Sequence, residues 1–196
     1  MSNSRLCDTR GKMLGDYRRN MSILTVVKHY DELTTNELYR IIQLRIQGFI
    51  VRNQVCYQDL EAHYDKNSYW MMNYDTVLGL EPQNMVGCIS WCLNKTFTGD
   101  DGREYQYPAA RRQACEDAYK GGMSIHDFNT GGDFLIKQLG TPRRMLEITY
   151  EKGRQVFFDL GCREIGTNID PAGRKNWVFV MDEEAPGWEY ETARPH

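Results

Sequence analysis

The chain has 196 residues, a formal net charge of −3, 41% hydrophobic residues and 26% charged residues. That length supports one well-buried core, and the slight acidity gives no general attraction to phosphate backbones or anionic lipid, so neither nucleic acid nor a membrane surface is an expected partner. No segment reaches the roughly 20 apolar residues needed to cross a bilayer, and the first residues lack the apolar centre of a secretory signal, so a cytoplasmic location is expected.

Residues 1–21 carry basic residues without hydrophobic patterning and read as a flexible N-terminal tail. Ser22 to Lys28, SILTVVK, is β-rich and suits a strand entering the core. Thr34 with Glu37 offers a capping box ahead of ELYRIIQLRIQGF, where Leu38, Ile41, Ile42, Arg45 and Phe49 recur at helical spacing. Tyr69 to Leu80 and Met85 to Leu93 read as two strands of an antiparallel hairpin around the turn EPQN. Residues 94–122 then read as an insertion: NKTFTGDDGREYQYP is turn-rich and exposed, and AARRQACEDAYK has the composition of a helix stopped by Gly121 and Gly122. Met123 to Phe128 is a short strand, NTGG a loop, and DFLIKQL a short helix ending at Gly140. MLEITY supplies a strand, GRQVFFDL a helix, and NWVFVM at 176–181 the last strand, with 183–196 an irregular tail. This pattern predicts an α/β protein with one domain over 22–182, a mixed central sheet and helices on both faces. The six cysteines are widely spaced and read as reduced thiols, and His29, His63, His126 and His196 form no metal-ligand spacing with them.

Two stretches carry a family resemblance. ELYRIIQLR followed by GFIVRNQVCYQDLE resembles the helix ELY-x-I-x-x-LR and the following VFVVEQNCPYQDLD of the ElaA-like branch of the GNAT superfamily of N-acyltransferases. Near the other end, VFFDLGC at Val156 to Cys162, with EIG at 164–166, resembles the family run FYEKFGF. The resemblance implies a GNAT-like fold that transfers an acetyl or other acyl group from acetyl-CoA or another acyl-CoA to an amine on a small molecule or peptide. The chain departs from the family twice. Phe157 stands where the family has a tyrosine that protonates the departing thiolate, and a phenyl ring has no proton to give. The glycine signature that binds the donor pyrophosphate is also absent from its expected place.

The cofactor-binding candidates are therefore Asn129, Thr130, Gly131 and Gly132, whose glycines would expose backbone N–H groups to an anion at the start of DFLIKQL, with Asp133 opposing by charge. Arg143 and Arg144, and the second pair Arg111 and Arg112, suit phosphate oxygens or a solvated surface. His126 is a base candidate beside that loop, against a reading as a hydrogen-bonded core histidine, and Glu61 would hold a water that takes the amine's proton. Tyr57, Asp59 and His63 are acceptor-binding candidates through the resemblance, against a reading as an ordinary solvated turn. An apolar patch left exposed on the last strand would favour a homodimer. Two rival readings remain: a non-catalytic binding or structural protein that kept the fold, and an enzyme using a different donor in a site rebuilt by 94–122.

Overall fold

The computed structural model describes residues 22–181 apart from 53, 55–58, 121–122, 142, 149–150 and 171–172. In chain order the elements are β1 (Ile23–His29), α1 (Thr35–Arg45), α2 (Ala62–Asp65), β2 (Ser68–Asp75), β3 (Met85–Thr98), β4 (Glu104–Cys115), α3 (Met123–Leu139), β5 (Arg144–Ile148), α4 (Glu151–Asp159), β6 (Arg163–Ile169) and β7 (Lys175–Met181). The strands form one sheet in the order β1-β2-β3-β4-β5-β7-β6. Every pairing is antiparallel except β4 with β5, which are parallel and joined by the α3 crossover.

Helices cover both faces of this mixed sheet. The capping box at the start of α1 forms as the sequence predicts: Glu37 N–H donates to Thr34 Oγ1 at 3.2 Å, and Thr34 N–H donates to Glu37 Oε2 at 2.8 Å. Ile41 and Leu44 of α1 then bury against Trp70, Met72 and Cys88. On the opposite face Phe128 and Leu135 of α3 and Phe157 of α4 pack with Met71, Ile89, Trp91 and Leu146. Full burial of side chains this size contributes about 1.5–3 kcal/mol each, so these two layers hold the sheet between them.

Three segments differ from the sequence expectation. Residues 94–115, expected as an exposed turn-rich stretch and the start of a helix, form the end of β3, a short turn and all of β4, a central strand, because pairing along β3 outweighs the turn signals and the helical preference of alanine, arginine and glutamine. Residues 123–139, expected as strand, loop and short helix, are one continuous helix. Its two internal glycines are weak helix formers, but there is no room for side chains: a Cβ on Gly131 would strike the Trp91 indole, and one on Gly132 the Arg144 guanidinium. The helix ends at Gly140 (φ +66°), as expected, with Gly140 N–H donating to the Ile136 carbonyl at 3.2 Å. The third segment, REIGTNI, forms β6, which polar residues and an internal glycine hide from a periodicity reading. The last strand, β7, lies between β5 and β6, and its residues Val178, Phe179, Val180 and Met181 are buried.

Candidate active site

Strands β4 and β5 pair at only two positions, Ala109 with Met145 and Ala110 with Leu146, and then separate. A cleft of about 310 Å³ opens where they part, lined from both faces of the sheet. A small residue helps make the space: Ala110 lines the cleft from a buried position of a central strand where a larger β-branched side chain would fill it. Between Cys88–Ala114 and Ser90–Arg111 the register gains one extra residue on β4, and Arg112 there has φ +54°. This is a bulge beside a cleft, a device that turns backbone groups out of the ladder and toward a ligand.

The two walls differ in chemistry because successive strand residues point to opposite faces. On the α3 and α4 side the lining is apolar: Trp91, Phe128, Leu146, Ile148 and Phe157. On the other side it is charged, with Glu61 paired to Arg111, Lys95 paired to Glu147, and Arg174 paired to Asp170 at 2.7 Å. Arg112 Nη2 adds a second contact to Glu61 at 3.4 Å. The Arg111 guanidinium also lies 4.3 Å from the centre of the Tyr64 ring. Burial by itself would raise the Glu61 carboxyl, but Arg111, Arg112 and Lys95 outweigh it and hold the group below its ordinary range. Glu61 is therefore an anion that can hold an ammonium or order a water.

A buried ion pair fixes the loop that carries Glu61. Arg45, at the end of α1, donates from Nε to Asp59 Oδ2 at 2.7 Å and from Nη2 to the Asp59 carbonyl at 2.8 Å. Its Nη1 lies 3.2 Å from Asp65 Oδ1, and Asp65 Oδ2 accepts the Glu61 N–H at 2.9 Å. The helix whose apolar stripe is readable in the sequence thus anchors a charged residue of the cleft through two aspartates.

The other candidates separate. Glu61 lines the cleft, whereas Asp59, expected to meet an acceptor, is buried at 5% exposure in its pairing with Arg45. His63 is exposed on α2 and packs edge-on to Tyr64, outside the cleft lining. Tyr57 lies outside the described residues. His126 faces β1, away from the cleft: its Nε2 and Thr25 Oγ1 are 2.8 Å apart, and the Thr25 hydroxyl donates to Asn73 Oδ1 at 2.7 Å. With that hydroxyl proton committed, Nε2 is the protonated nitrogen, and burial lowers the pKa of the ring. Two residues along a helix face different directions, so Phe128 reaches the cleft and His126 does not. The alternative of a hydrogen-bonded histidine is the one the geometry favours. Its neighbour Asp127 is fully buried and accepts from Asn73 Nδ2 and Gln113 Nε2, both at 2.6 Å, and burial pushes its carboxyl up to about 6.

The anion loop expected at 129–132 does not exist. Asn129, Thr130, Gly131 and Gly132 sit inside α3, where backbone N–H groups are used by the helix, and both glycines are buried against Trp91 and Arg144. Arg144 is 2% exposed, with its guanidinium 4.0 Å from the centre of the Phe128 ring, while Arg143 is exposed before β5. Lys95, Glu147, Asp170 and Arg174, none of them singled out by the sequence, complete the charged wall. They come from β3, β5 and the β6–β7 turn, and no local pattern links them.

No family model and no curated protein matches the chain. Solved structures do. An acyl-CoA N-acyltransferase from Pseudomonas aeruginosa superposes with a TM-score of 0.64 at 15% identity, over 81% of this chain and 99% of that one. ElaA of Escherichia coli gives 0.62 at 14% identity, over 82% and 99%. FeeM, an N-acyl amino acid synthase from uncultured soil microbes, gives 0.59 at 10% identity, over 82% and 92%. At such identities the likeness is one of architecture, and what it establishes is that this chain shares the GNAT-like mixed α/β fold of these structures.

Proposed function

We propose that the chain is an acyl-CoA-dependent N-acyltransferase, acting on an amine of a small molecule or peptide. The observation that carries this reading is the parting of β4 and β5 into a cleft with one apolar and one charged wall. An acyl-CoA supplies an activated acyl carbon in a thioester. The apolar wall of Trp91, Phe128, Leu146 and Phe157 suits the acyl and pantetheine portion of such a donor. The segment 129–133 does not suit its diphosphate, because its amides lie within a helix. The first turn of α3, beginning at Met123 just past the carboxyl end of β4, is the better place, since amides at a helix start lack intrahelical partners.

The chain's own groups supply positioning and proton handling. Backbone amides of the β4 bulge, beyond the last residue paired to β5, would donate to the thioester oxygen. Glu61 and Glu147, on the opposite wall, would hold the amine or a water that receives its proton. The amine nitrogen bonds to the acyl carbon, the carbon–sulfur bond breaks, and the sulfur leaves with the electron pair. Phe157 contributes packing to this step and no acid. The motif shared with the ElaA-like branch and the likeness to ElaA both support placing the chain near that branch.

Isothermal titration of the full chain with acetyl-CoA and octanoyl-CoA, against CoA alone, tests the reading. Saturable binding of a thioester is expected. Its absence in folded, reduced protein would return the chain to a non-catalytic use of the fold.

A further inference from the structure

Resting on the acyl-transfer reading, we propose that the acceptor is an amine that also carries a carboxylate, with Arg174 binding the carboxylate and Glu147 receiving the ammonium. Among the described residues the charged wall holds four cationic side chains, Lys95, Arg111, Arg112 and Arg174, and four carboxylates face them, Glu61, Glu147 and Asp170 in the lining and Asp59 behind it, 3.5 Å from Arg112. A polyamine would bring only positive charge to a wall whose own charges balance, inside a partly water-excluded space where an uncompensated charge costs more than in bulk solvent. An amine with its own carboxylate meets a partner at each end.

The positions of the two anchors follow from strand register. Glu147 directly follows Leu146, the last residue of β5 paired to β4, so it stands where the sheet opens and points away from the apolar wall. An amine beside it lies across the split from the site proposed for the acyl carbon. Arg174 lies just before β7, four residues from Val178, the β7 partner of Glu147. That is about 13 Å of strand at ~3.3 Å per residue, a span that the two long side chains together with an amine and acid a few bonds apart would bridge.

Arg174 is held for this task. Asp170 Oδ2 accepts from its Nε at 2.8 Å, while Asp170 Oδ1 accepts the Arg174 backbone N–H at 2.8 Å. Its side chain is 29% exposed, against 10% for Arg111 and 15% for Arg112, so it is the guanidinium of this wall most open to an incoming ligand. A planar guanidinium held in place recognises a carboxylate in a way a lysine does not. The acceptor's carboxylate is unchanged in the reaction: its nitrogen joins the acyl carbon, the sulfur departs as thiolate, and the displaced proton passes to Glu147 or to water beside it.

The test uses the purified full chain with acetyl-CoA or octanoyl-CoA as donor. L-alanine, L-leucine and L-glutamate are compared with their α-amides and with spermidine, product being read by mass spectrometry. The acids should exceed their amides in kcat/KM by about 10- to 100-fold, the range of one charged hydrogen-bonded contact. Arg174→Gln should shrink that ratio toward one, mainly through KM for the acids. Arg174→Lys, which keeps charge but not the planar fork, should fall between, and serves if the first variant folds poorly. Equal rates for acid and amide, or spermidine as the better acceptor, would overturn the proposal. Donor binding is titrated in parallel: a donor that binds with no transfer to any of the acids sinks the acceptor assignment alone, and a donor that does not bind sinks the acyl-transfer reading as well.

Discussion

Phe157 sits at the junction of core and cleft, 6.0 Å from the ring centre of Phe128 and 5.7 Å from that of Phe179, and it lines the apolar wall. A hydroxyl at this position would place an acid against the apolar wall. Phe157→Tyr is expected to raise kcat at neutral pH by up to ~100-fold, the lower edge of what a positioned acid contributes, with little change in donor affinity. Steady-state rates set beside donor titration measure the two separately. Gly131 poses a steric question. Because a Cβ there meets the buried Trp91 indole, Gly131→Ala should destabilise the fold by about 1–3 kcal/mol despite alanine's better helix propensity. Urea unfolding reads the sign directly, and a gain in stability would contradict the close approach of α3 to the sheet.

The elements differ in how far local sequence defines them. α1 was legible because its cap and its apolar stripe are both local, and the β2–β3 hairpin because its turn lies between two apolar runs. β4 was not, since its alanines and arginines carry helical propensity and only pairing with β3 makes them a strand. α3 was not, since two glycines that look like a loop are there to admit Trp91 and Arg144. α3 also makes a pH prediction. Burial raises the Asp127 carboxyl from its ordinary 3.8 to about 6, so the folded chain binds this proton more tightly than the unfolded chain does. The resulting stabilisation is complete below about pH 4 and is lost as pH rises through about 6. A shift of about two units corresponds to roughly 3 kcal/mol, so the stability of the parent chain relative to Asp127→Asn should fall by that order between pH 4 and 7. Denaturant midpoints of the two proteins across this range provide the check, and a pH-independent difference would show that Asp127 is not titrating there.

For the whole molecule, the cleft is a property of the sheet's topology. Helices on one face present an apolar wall, the other face presents ion pairs, and the two meet only because β4 and β5 run parallel and part. A ligand seated across that split should stabilise the fold as a unit. At 100 times its dissociation constant, an acyl-CoA is expected to add about 2.7 kcal/mol to unfolding free energy, seen as one cooperative shift in a thermal melt. A melt that splits into two transitions on adding donor would argue against binding across β4 and β5. The sequence by itself determined the α/β class, the first helix with its cap, and the hairpin, because spacing, capping and turn chemistry act over a few residues. Tertiary structure alone decided that β4 is a strand, that α3 is unbroken, and that Lys95, Glu147, Asp170 and Arg174 share one wall. Those outcomes depend on pairing and close approach between residues far apart in the chain, and such contacts override local propensity once a core forms around them.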